Sequence, residues 1–419
     1  MEARWRAYKI LKDICLEKRY SNLALKEDLE GLSDLDKGFV TNVVYGTLQN
    51  YRYLRYMWEN FPKEAPMDEI GILIDMSVYQ FFFMDRVPDY AVVNEAVDIA
   101  KRLYEGQFQS FVNAILHNVL RNGKRVIGGS EVDRIAIKYS FPNWVIKMWC
   151  KQYSEAETIK ICESLNRIPL QCARVNTLKA TREEVMQMNP DFTLGKISPD
   201  ALIYTKGSIA STDEFKKGLV TVQDESAQLV SLLLDVQEGD TVLDMCAAPG
   251  SKTTHIGALM KNRGILMALD IHEHRVELIK KTARRMGIIC IEAMCADATK
   301  LDDVFEREAF DRILLDGPCS GYGVIARKSD IKYHMKTTDM DQCIEIQKEL
   351  LDNATLYLKE DGILVYSTCT LNKKENEKQI EAFLLRHKNF ELLEERTLFP
   401  YEYDSDGFYM AKLHKTHKQ

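Results

Sequence analysis

Apolar residues recur at helical spacing through the first quarter of the chain. Residues 3–19 place Trp5, Tyr8, Ile10, Leu11, Ile14 and Cys15 on one face, and residues 36–51 place Phe39, Val43, Val44, Leu48 and Tyr51 likewise. Residues 90–103 and 107–120 predict two more helices, the second ending at the basic group Arg121, Lys124, Arg125. No alternating pattern interrupts this stretch, so residues 1–128 are expected to form an all-α domain. Gly128-Gly129-Ser130 marks a break. Residues 129–235 are mixed: helical over 142–165, strand-like at 172–176 and 218–222, then helical to Leu234. A small α+β connecting domain is predicted there. From Gly239 onward strand and helix alternate. Strands are predicted over 241–244, 264–269, 288–294, 310–315 and 362–366, helices over 251–260, 273–286, 341–358 and 374–385, and further strands near Phe390 and Phe408. That alternation implies a parallel, doubly wound, Rossmann-like α/β domain over 236–419.

In such a sheet, ligands bind at the carboxyl ends of the strands. Three predicted strands end at or just before a carboxylate: Asp270, Asp297 and Asp316. The first turn, Cys246-Ala247-Ala248-Pro249-Gly250-Ser251-Lys252, is neither a dinucleotide fingerprint nor a phosphate loop. Its small residues Ala247, Ala248 and Gly250 still let a ligand approach the backbone closely. A nucleoside without pyrophosphate fits both features, and S-adenosylmethionine is such a molecule. Asp270 stands where a carboxylate takes ribose hydroxyls in dinucleotide folds, and Asp297 where an adenine edge is met.

The predicted fourth strand runs into Asp316-Gly317-Pro318-Cys319-Ser320-Gly321, and the fifth into Ser367-Thr368-Cys369-Thr370. If the two strands are neighbours, Cys319 and Cys369 converge beside Asp316. Cys369 also precedes a predicted helix, whose positive end favours a thiolate. Two thiols and an acid suit one demanding reaction. Carbon-5 of cytosine becomes nucleophilic once a thiolate has added at carbon-6, and a base must then take the carbon-5 proton before the thiol is expelled. The acid can hold the base near nitrogen-3.

Composition changes this picture little. Hydrophobic residues make up 46% of the 419 and charged residues 28%, ordinary values for a globular protein. No apolar run reaches the ~20 residues that span a bilayer. The amino end lacks a signal-peptide core, and a cytoplasmic protein is expected. The ten cysteines include no C-x-x-C pair, and no histidine pair completes a zinc spacing, so neither a metal site, a redox pair nor a disulfide framework is predicted. A net charge of -7 is unusual for a nucleic-acid partner. Residues 101–150, however, carry eight basic and three acidic residues, against four and nine over 51–100, so a local basic face can coexist with an acidic total. The groups Arg121, Lys124, Arg125; Lys280, Lys281, Arg284, Arg285; and Arg327, Lys328 are the candidate phosphate contacts.

Leu243 to Thr253, Asp316 to Gly321 and Ser367 to Thr370 together resemble the RNA cytosine-5 methyltransferases. Val93-Asn94-Glu95-Ala96-Val97 and Phe111 to Leu116 resemble the RNA-binding helical domain of the NusB family. The resemblance covers essentially the whole chain. It implies a class I methyltransferase domain with catalytic residues Cys369, Cys319 and Asp316: Cys369 the nucleophile, Cys319 assisting release. It implies S-adenosylmethionine contacts at Cys246, Ala247, Ala248, Pro249, Gly250, Ser251, Lys252, Asp270, Asp297 and Asp316. The implied substrate is a splayed or single-stranded cytosine of small-subunit (16S) ribosomal RNA, with no membrane and no obligate protein partner. The chain departs from the family pattern at Ser251, where glycine is usual, at Thr370, where serine is usual, and at Ser329, where proline is usual. Two alternatives are methylation of another RNA and a non-catalytic antitermination-type RNA-binding protein. The second would need neither cysteine.

Overall fold

A computed structural model describes residues 2–334 and 336–417. The chain divides into two compact units. The first comprises residues 1–167 together with 325–335, the second residues 168–324 and 336–419.

The first unit is helical. Six helices, Glu2–Glu17, Ser21–Asp28, Asp34–Trp58, Asp68–Phe83, Asp89–Arg102 and Gln109–Asn122, are followed by Glu131–Lys138, Asn143–Tyr153 and Glu155–Leu165. Local chemistry sets their starts. The Ser33 hydroxyl accepts from the Asp36 amide, and Ser130 and Asp133 form a reciprocal capping box. The predicted single helix over 142–165 is two, because Ser154 takes φ 95° between them. The helix Asp68–Phe83, which no amphipathic stripe announced, is buried on every side from Ile70 to Gln80. It sits at the centre of the helical core, where periodicity fades because every face is apolar. Its one buried carboxylate, Asp75, takes Arg55 and the Trp58 indole N–H.

Residues 325–335 leave the second unit in sequence and pack in the first. The ammonium of Lys332 is buried and donates to the carbonyls of Gln49 and Tyr139 and to Asn166 Oδ1 (3.0, 3.2 and 2.6 Å), with the Phe141 ring 4.1 Å away. Ser21 donates to Asp330 at 2.5 Å, and the rings of Tyr51 and Tyr333 lie 4.0 Å apart.

The second unit holds two sheets. Strands β1 (Gln171–Val175), β2 (Phe192–Leu194), β3 (Ala201–Tyr204) and β4 (Val220–Val222) form an antiparallel sheet in the order β2-β3-β1-β4. Strands β2 and β3 are too short to leave a pattern in the sequence. The larger sheet contains β5 (Thr241–Asp244), β6 (Ile265–Asp270), β7 (Ile291–Cys295), β8 (Phe310–Asp316), β9 (Leu358–Thr368), β10 (Phe390–Leu398) and β11 (Phe408–Lys415), ordered β10-β11-β9-β8-β5-β6-β7. Five strands are parallel; β11 runs antiparallel to both β9 and β10. The chain moves outward from β5 through β6 to β7, then returns on the other side of β5 to β8. The switch point therefore lies beside β5. Strand β8 pairs directly with β9, and Asp316 stands opposite Ser367. Among the described residues no helix is long and apolar enough to cross a membrane.

Candidate active site

The turn after β5 follows the sheet hydrogen bonding before it leaves the sheet. Met245 N donates to Leu314 O of β8 and Ala247 N to Leu269 O of β6. Gly250 then adopts φ +96°, and a Cβ there would lie 3.2 Å from the Ile279 Cα, so a side chain would be both strained and crowded. The helix Ser251–Leu259 begins immediately after it. Below this helix start lies Arg174 of β1, which is fully buried. It donates to Ser251 O at 2.6 Å, to Thr254 Oγ1 at 3.2 Å and to Gln223. Burial pulls this guanidinium down to about 9, against the nearby charge of Asp200. Sequence reasoning placed Arg174 on a strand but gave it no role; an arginine inside an apolar strand was the available signal.

The three acids occupy strand ends as expected, in different surroundings. Asp270, the last residue of β6, accepts from the His272 amide at 3.0 Å and pairs with Arg275 at 3.1 Å. Asp297 lies two residues beyond β7 and accepts from both the amide and hydroxyl of Thr299, which hold its carboxyl below the usual range despite partial burial. Asp316 commits both oxygens: one to Lys252 Nζ at 2.6 Å, the other to Ser367 Oγ at 2.7 Å. Burial lowers the Lys252 ammonium, but Asp316, and after it Cys369 and Asp244, outweigh that effect and raise it. Lys252 also lies 4.9 Å from the centre of the Phe408 ring.

Asp244, ending β5, is a further acid here that sequence reasoning passed over. One oxygen accepts from Thr253 at 2.8 Å; the other is buried with no donor among the described residues. Burial, with the Asp316 charge adding, pushes this carboxyl up to about 7.

The two thiols meet. Cys319 Sγ and Cys369 Sγ are 3.4 Å apart, neither is in a disulfide, and both are partly exposed. The Cys319 thiol is pushed well above its ordinary range, first by its hydrogen bond to Cys369, then by burial, and then by the charges of Cys369, Glu375 and Asp316. Either sulfur could be the donor of this contact. The Cys246 thiol is raised by burial and by the surrounding acids, so it is an unreactive neighbour. Among the described residues no group of three or more His, Cys, Asp or Glu could hold a metal ion.

Of the candidate phosphate contacts, several have structural partners. Arg285 donates to Phe215 O, Val220 O and Thr221 Oγ1; Arg125 donates to Tyr56 O and covers the Tyr56 ring; Lys280 pairs with Glu277. Lys328 is exposed and Arg327 partly so, both on the segment packed in the first unit.

A small-residue loop at the switch point is flanked by carboxylates at or near the ends of three strands. That set matches a ligand rich in hydroxyl and ammonium donors. The fold and site together define an S-adenosylmethionine-dependent methyltransferase. Comparison with known proteins narrows the class. Residues 231–414 match the profile of the 16S rRNA methyltransferase RsmB/F, residues 1–121 that of the NusB family, and residues 141–206 the ferredoxin-like domain of RsmF/B-like methyltransferases. The probable ribosomal RNA small subunit methyltransferase B of Bacillus subtilis is 39% identical over 97% of this chain and 98% of its own. The protein of the same name from Synechocystis is 33% identical over 99% and 100%. Among solved structures, PH0851 superposes with a TM-score of 0.85 at 26% identity, covering 98% of this chain and 99% of that one. The chain belongs to the RsmB/F family of 16S ribosomal RNA methyltransferases and is similar in sequence to proteins named ribosomal RNA small subunit methyltransferase B.

Proposed function

We propose that the chain methylates carbon-5 of a cytosine in 16S ribosomal RNA through a covalent adduct between Cys369 and carbon-6, and that it does so in the cytoplasm. The observation that carries this reading is the 3.4 Å approach of two thiols on the turns that follow the Asp316–Ser367 register, with Asp316 paired to Lys252. In the family, S-adenosylmethionine supplies an electrophilic sulfonium methyl when bound. Asp270 would hold its ribose, Asp297 its adenine, and the loop Cys246 to Lys252 with Asp316 the remainder. Asp244, whose second oxygen lacks a donor, is suited to an ammonium group there.

The residues of the chain divide the remaining chemistry. Cys369, as the thiolate, adds to carbon-6 and makes carbon-5 enamine-like. Once its sulfur is bonded, Cys369 no longer hydrogen-bonds to Cys319 as a thiol or places a charge beside it, two of the influences that raise the Cys319 thiol. Cys319 then gives its proton to solvent and, as a thiolate, takes the carbon-5 proton after methyl transfer. The C5–H electrons re-form the C5–C6 double bond as the C6–S bond breaks, and Cys369 leaves as thiolate. Asp316, fixed by Lys252 and Ser367, borders both the base and the donor. A stacked cytosine hides carbon-6, so the target is single-stranded or splayed out. Residues 1–128 would bind RNA, 129–235 connect, and 236–419 perform the transfer.

Tritiated methyl transfer to naked small-subunit RNA, followed by bisulfite mapping, tests this reading. One protected cytosine is expected. Methylation at another base, or only of a different RNA, would overturn it.

A further inference from the structure

Behind the two thiols lies a layer of buried polar side chains that the chemistry above does not use. Its centre is the pair Glu375 and Asn376, both 0% exposed, just before the helix Glu377–Arg386. Glu375 accepts from four donors. Oε2 takes Ser320 N at 2.8 Å and Gln347 Nε2 at 3.2 Å; Oε1 takes Ser320 Oγ at 2.5 Å and Asn372 Nδ2 at 2.9 Å. Gln347 also donates to Pro318 O at 2.8 Å. The residues on both sides of Cys319 are therefore held by one carboxylate, directly at Ser320 and through Gln347 at Pro318.

Asn376 does the same for Cys369. Its Nδ2 donates to Thr370 O at 2.9 Å and its Oδ1 accepts from Thr368 Oγ1 at 2.6 Å. A hydroxyl contact of 2.6 Å between Ser320 and Thr370 joins the two brackets. Apolar residues of similar volume would stabilise this layer at least as well as a buried carboxylate does. A fully satisfied network instead fixes its members in one arrangement, and here the members flank the reacting sulfurs.

We propose that Glu375 and Asn376 are positioning residues that divide the thiols between them, Glu375 seating Cys319 for release and Asn376 seating Cys369 for attack. The proposal rests on the covalent reading above. Glu375→Gln replaces an acceptor-only group with one that must point an N–H₂ at existing donors. It should displace the Cys319 turn and leave the Cys369 bracket in place. Asn376→Ala should do the reverse.

Single-turnover reactions of the full chain with small-subunit RNA and S-adenosylmethionine test this, following adduct by denaturing gel and methylated product separately. Calorimetric binding of S-adenosylmethionine by the same preparations reports a folded cofactor site. Ser320→Ala, which removes the hydroxyl's contacts to Glu375 and Thr370 but keeps the amide's bond to Glu375, is the milder companion if Glu375→Gln does not fold. For Glu375→Gln and Ser320→Ala, release should slow on the order of 10–100-fold, with adduct accumulating and kcat falling more than KM changes. For Asn376→Ala, adduct formation should slow by a similar factor without accumulation. A merely structural role would depress both steps together in every variant, and that result overturns the proposal. Cys319→Ala run alongside separates the two levels. If it traps adduct and the Ser320 and Glu375 variants do not, only this inference fails; if it traps none, the covalent reading fails first.

Discussion

At the scale of single residues, the site depends on which atoms carry protons. Cys319 and Cys369 share a 3.4 Å contact in which either sulfur could be the donor, and that contact, burial and neighbouring charges raise the Cys319 thiol well above its ordinary range; on the proposed reading Cys369 is the nucleophile. Cys369→Ala should therefore reduce methyl transfer by ~10³-fold or more, the scale on which loss of a covalent nucleophile falls. Retained transfer in the tritium assay would move the nucleophile elsewhere. Asp270→Ala should weaken S-adenosylmethionine by roughly 10–100-fold, the worth of a charge-assisted hydrogen bond; unchanged calorimetric affinity would remove Asp270 from the cofactor site. Asp244 affects stability as well. Its carboxyl is raised to about 7 in the fold, mainly by burial, so the folded state holds a proton that the unfolded chain gives up near pH ~4. Its contribution is complete below that pH and is lost as pH rises through about 7. Denaturant midpoints of Asp244→Asn should show less of this decline than the parent protein does. An equal decline would place the proton on another group.

At the scale of elements, one register matters most. Strand β8 beside β9 sets Asp316 against Ser367, and the turns that follow then bring Cys319 and Cys369 together. The apolar run at 313–315 and the two cysteine motifs made this pairing legible in the sequence, since neighbouring parallel strands end on one edge. Their support was less legible. Glu375 and Asn376 fall in the first turn of the predicted helix 374–385, which the structure begins only at Glu377, and they carry no visible role until their partners, some 50 residues away in sequence at Ser320 and a few away at Thr368 and Thr370, are known. The segment 325–335 was equally hidden. Its sequence continues from the active turn, yet Lys332 is buried in the helical unit, where burial pulls its ammonium down to about 7. Lys332→Ala leaves three oxygens without this donor and should cost about 1–3 kcal/mol, read as a lower urea midpoint. An unchanged midpoint would show that Lys332 does not secure the segment.

At the scale of the whole molecule, an acidic chain of net charge -7 carries out chemistry on a polyanion, so local arrangement has to outweigh the total. Helix periodicity and strand–helix alternation were enough to expect a helical amino-terminal part and a doubly wound α/β domain. Short strands such as β2, and a central helix apolar on every face, leave no such pattern, because tertiary burial rather than local spacing defines them. The same limit applied to Arg174, whose role appears only when the small sheet is set against the helix start at Ser251. On the proposed reading, the entire chain has to achieve a covalent bond to RNA that later breaks. The most direct measurement is mass spectrometry of the peptide cross-linked to small-subunit RNA when Cys319→Ala is incubated with S-adenosylmethionine and denatured. The account predicts a cytidine attached at Cys369. A cross-link formed instead by Cys369→Ala and mapped to Cys319 would contradict it.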